Sequence, residues 1–201
     1  MIRPRKTRFA TVAAAMILLA LVLLVAGCGS KSSGSTVKPG PTALGSLTAA
    51  RSALSTMAPD AKLLVVQTAQ AVTPTGTPVW AFLFGSPSND KTFVVYLTGG
   101  QSMGAQEYGT AGLSADQWKN VPGTDGWTVD SNTAYTKALA ASGAKGDPAA
   151  YMMGLLTYKS AEDTSTIKPF VWRVIFDPGK SGATTGTIEV DAKTGAATVA
   201  K

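Results

Sequence analysis

Pro169-Phe170-Val171-Trp172-Arg173-Val174-Ile175-Phe176 carries the alternation of a strand with one buried and one wet side. Trp172, Val174 and Phe176 fall on one side, and Val171, Arg173 and Ile175 on the other. Pro78-Val79-Trp80-Ala81-Phe82-Leu83-Phe84, in the first half of the chain, holds a matching Val-Trp pair. An antiparallel sheet made of such strands needs a second layer over its apolar side, and the helical segments upstream of each stretch supply one.

Working outward, the two halves follow one grammar. In the first, Leu47, Ala50, Leu54 and Met57 recur at helical spacing over Ser46 to Met57, with Ser46 as N-cap. Strands are predicted at Lys62 to Val72, at the Trp80 stretch and at Thr92 to Thr98. In the second, Ser131 caps a helix carrying Ala134, Tyr135, Ala138 and Leu139 and ending near Gly143. Strands follow at Tyr151 to Lys159, at the Trp172 stretch, at Thr187 to Asp191 and at Ala196 to Ala200. Pro59 with Pro148, and Val79-Trp80 with Val171-Trp172, match at separations of about 90 residues, the signature of an internal repeat. The expectation is an α+β fold of two helix-plus-antiparallel-sheet units packed together. The first covers 46–105, a loop-like connector 106–130, and the second 131–201.

The Trp127-Thr-Val-Asp-Ser-Asn-Thr-Ala134 entry, the Ala-rich helix, Val171-Trp172-Arg173-Val174 and the closing Val190-Asp191-Ala192-Lys193-Thr194-Gly195 resemble the PepSY domain. The first half matches in layout alone, since Thr98-Gly99-Gly100 stands where Asp-Ala-Lys-Thr-Gly would. The resemblance implies a non-catalytic binding or inhibitory module of exported bacterial proteins, and it brings no catalytic residue with it.

The N-terminus reads as an address. Arg3, Arg5, Lys6 and Arg8 precede an unbroken apolar run from Val12 to Ala26. That run is shorter than the roughly 20 residues of a membrane-spanning helix and suits a cleaved export signal over 1–27. Val25-Ala26-Gly27-Cys28 resembles the lipobox of bacterial lipoproteins, which implies cleavage after Gly27 and diacylglycerol on Cys28. Two or three acyl chains hold a protein stably on a membrane. Residues 28–45 then comprise the lipidated cysteine and a Ser/Gly/Pro-rich flexible tether reaching roughly 20–25 Å. The expected location is the cell membrane, on its extracytoplasmic side.

Four of the 18 basic residues lie in the signal, so the chain from Cys28 carries 14 basic and 12 acidic side chains, about +2. No charge-based case for nucleic acid survives. The chain holds no histidine and one cysteine, which removes the Ser-His-Asp arrangements and most zinc sites. Ser35-Thr-Val-Lys38 with Lys193-Thr-Gly195 has penicillin-recognising spacing, but its first member lies in the tether and the intermediate Ser-Asp-Asn is missing. Gly99 to Gly104 lacks the lysine of a phosphate loop. Glu162-Asp163 reads as a solvated loop, and Asp125, Asp130 and Asp147 as backbone caps beside Gly, Ser or Pro. No loop has the oxygen density of a calcium site. Neither metal nor cofactor is expected, and no catalytic activity.

Trp80 and Trp172 are expected to fill equivalent core positions. Tyr108, Trp118 and Trp127 sit between the halves, where they act as lids over the core or, alternatively, as contacts for an envelope protein partner. The overall expectation is a lipid-anchored, non-enzymatic binding or modulatory module. The alternative is a carrier of a peptide, glycan or lipid in a cleft between the halves.

Overall fold

The computed structural model describes residues 42–143, 148–159, 168–177 and 186–200. Gly27, Cys28, Asp147 and Glu162-Asp163 lie outside these residues. The described chain runs α1 (Ala43–Leu54), β1 (Lys62–Thr68), β2 (Val79–Ser86), β3 (Lys91–Thr98), β4 (Gln101–Thr110) and α2 (Ala115–Asn120). It continues through α3 (Ser131–Ala141), β5 (Ala150–Leu156), β6 (Val171–Asp177), β7 (Gly186–Asp191) and β8 (Ala197–Val199). The class is α+β. All eight strands join one antiparallel sheet in the order β4-β3-β2-β1-β5-β6-β7-β8, so the two halves meet edge to edge at β1 and β5.

Register sorts the side chains. Trp80 lies opposite Leu97, Phe82 opposite Val95 and Phe84 opposite Phe93. In the second half Leu155 lies opposite Trp172, which in turn faces Val190. These residues are buried and form one core with α1 and α3. Trp172, Val174 and Phe176 are buried while Val171, Arg173 and Ile175 are not, as the alternation requires. The Trp80 and Trp172 rings meet edge to face at 6.3 Å, and Trp127 stands 5.6 Å from Trp172. Tryptophans therefore fill the space between the halves, where the carrier alternative placed a cleft.

Both long helices begin at the same spot. Thr42 caps α1 by accepting from the Gly45 N–H, and Asp130 caps α3 by accepting from the Ser131 N–H. The Ala43 N–H donates to Ser131 Oγ at 3.0 Å, and the Leu44 N–H to Asp130 Oδ1 at 2.9 Å. The start of α3 thus satisfies two donors of the first turn of α1.

Four sequence expectations need correction. Ser131, expected to cap α3, is its first residue, and Asp130 is the cap. Helix α1 begins at Ala43 rather than Ser46, which is buried inside it, so residues 43–45 are helical and not tether. β1 stops at Thr68, beyond which Val72 makes an isolated bridge to Tyr151. The stretch from Gln101 to Thr110, expected to end the first unit and open a loop-like connector, is a ten-residue edge strand. All but one of its residues are exposed, so burial imposes no alternation on its sequence. Two register irregularities against β3, at Thr92/Phe93 and Val95/Leu97, mark it as a guarded edge.

Candidate interaction face

The side of the sheet away from α1 and α3 is where the described surface departs from an ordinary covered core. β5 turns Tyr151 and Met153 toward the helices, the Tyr151 ring tilted against Tyr135 at 4.4 Å, and Met152 the other way. Met152 lies directly opposite Ile175 of β6, and the two are 42% and 50% exposed. This cross-strand apolar pair borders Arg173, which lies opposite Glu189 and reaches it at 3.6 Å. The Arg173 Nε is buried with no hydrogen bond. On the first half, half-buried Leu83 and Val94, also cross-strand partners, continue the same side.

Part of this side is occupied by α2. Gly85 leaves a notch in β2 that the Trp118 ring fills; a Cβ at Gly85 would collide with that ring. Lys62 Nζ donates to the Trp118 carbonyl at 2.8 Å, which also accepts from the Val121 N–H, and lies 3.5 Å from the Val121 carbonyl at the helix end. Ser114 and Gln117 close the other end with a capping box.

Of the three aromatics singled out in the sequence, Trp118 and Trp127 are buried at 6% and 3% exposure, and Tyr108 on β4 is 52% exposed. The structure does not bring them together. Trp118 covers the outer side of the sheet, and Trp127 the core between the halves. The indole N–H groups of Trp127 and Trp172 both donate to the Val129 carbonyl, at 3.1 and 2.8 Å. In the sequence Tyr151-Met152-Met153 reads as a buried strand, with a groove lining as the alternative; the structure buries Met153 and exposes Met152 opposite Ile175. The signal of that pair was present in two adjoining strands, each placing a large apolar residue on the side opposite its Trp or Met neighbours.

Titratable groups serve local structure. Burial pushes the Asp60 carboxyl up, but hydrogen bonds from the Ser86 hydroxyl and Ser88 N–H outweigh it and hold the group below its usual range. The Thr194 N–H and hydroxyl and the Lys193 N–H lower Asp191, fixing the turn before β8. Burial, with Tyr135 nearby, raises the Tyr151 phenol. Among the described residues no three His, Cys, Asp or Glu side chains converge as metal ligands. Two depressions, of about 170 Å³ beside Arg51, Leu54 and Phe84 and about 330 Å³ beside Asn132, Thr136 and Lys137, each belong to one half. No described helix is long and apolar enough to cross a membrane.

No protein-family model matches this chain, and no curated protein matches it. Among solved structures it is similar to the crystal structure of a Clostridium difficile 630 protein assigned as a lipoprotein. The match has 14% identity and a TM-score of 0.43, over 71% of this chain and 82% of the other.

Proposed function

We propose that this chain is a lipid-anchored, extracytoplasmic, non-enzymatic module of two PepSY-like repeats that binds an envelope protein through the open side of its sheet. The exposed Met152–Ile175 pair carries the reading. Methionine adapts to varied partner shapes, and an apolar cross-strand pair beside an incompletely bonded arginine is a surface that association would cover. The repeat reading is supported by the order helix then four strands occurring twice, with Trp80 and Trp172 each on the second strand. The anchor is supported by the basic, apolar and Ala-Gly-Cys succession up to Cys28.

The test places a photocrosslinking amino acid at Ile175, or at Thr48 on the outside of α1, in the full chain expressed in cells. A single envelope protein captured from position 175, absent from position 48 and lost on Met152→Glu, is expected. Identical products from the two positions, or none from 175, would overturn the binding reading. Cys28→Ala is expected to move the protein out of the membrane fraction.

A further inference from the structure

We draw no further inference here: the strongest candidate, the open sheet side around Met152, Ile175 and Arg173, belongs to the interaction face already described, and nothing in the structure shows what covers it.

Discussion

Asp130 is the side chain whose loss should cost the fold most for the fewest atoms removed. Its carboxylate accepts from the Ser131 N–H at 2.6 Å, capping α3, and from the Leu44 N–H at 2.9 Å in the first turn of α1. In Asp130→Ala the lost cap costs about 1 kcal/mol. Removing a negative charge from two helix N-termini costs about 0.5 kcal/mol each. The part-buried Leu44 N–H left without a partner costs about 1 kcal/mol more. The expected total is about 3 kcal/mol. Asp130→Asn keeps an oxygen acceptor and loses the charge, so about 1 kcal/mol is expected. Urea unfolding followed by tryptophan emission reads this directly, because Trp80, Trp127 and Trp172 pack together where the halves join. At about 2–4 °C per kcal/mol for a domain of this size, the Ala variant should melt about 6–12 °C lower. An Ala variant within about 0.5 kcal/mol of the parent, or an Asn variant as damaged as Ala, would refute the shared-cap reasoning.

Gly85→Ala puts a methyl into the Trp118 ring, so about 1–3 kcal/mol of destabilisation is expected, with faster amide exchange in 114–121. Unchanged exchange there would mean that the notch does not hold α2. Trp172→Phe removes one of two indole donors to the Val129 carbonyl and part of a fully buried ring, for an expected loss of about 2 kcal/mol in the same urea assay. Asp60 and Asp191 both sit below the ordinary carboxyl value of 3.8. Their contribution is therefore full above that pH and lost as pH falls through their folded values. The urea midpoint should drop between pH 5 and pH 2, and drop less in Asp191→Asn; an equal drop would remove Asp191 from the acid response.

The alternation in β6 and the Trp landmarks were legible because burial on one side writes a period of two into the sequence. Phe84, Val95, Val174 and Ile188 all follow that rule. Asp130 was also legible as a backbone cap, though not as a cap shared by two helices, since Leu44 lies 86 positions away. β4 was hidden for the opposite reason. Glu107 and Tyr108 lie on an edge strand exposed at all but one residue, and nothing buried them into a pattern. The start of α1 was missed because buried Ser46 resembles a cap, whereas Thr42, three residues before Gly45, performs that role.

Element lengths explain why one side of the sheet stays open. At 1.5 Å per residue, α1 with 12 residues and α3 with 11 span about 35 Å when laid end to end, close to the roughly 34 Å width of eight strands. Their shared start at Asp130 and Ser131 places them in that head-to-head manner, so both long helices are consumed on one side. The other side has α2, six residues and about 9 Å long, fixed over the first half by Trp118 in the Gly85 notch and by Lys62. A helix that short, held there, cannot also cover β5 and β6. Met152 and Ile175 are left in solvent by the arithmetic of the elements, and it is on this exposed apolar pair that the proposed binding role rests.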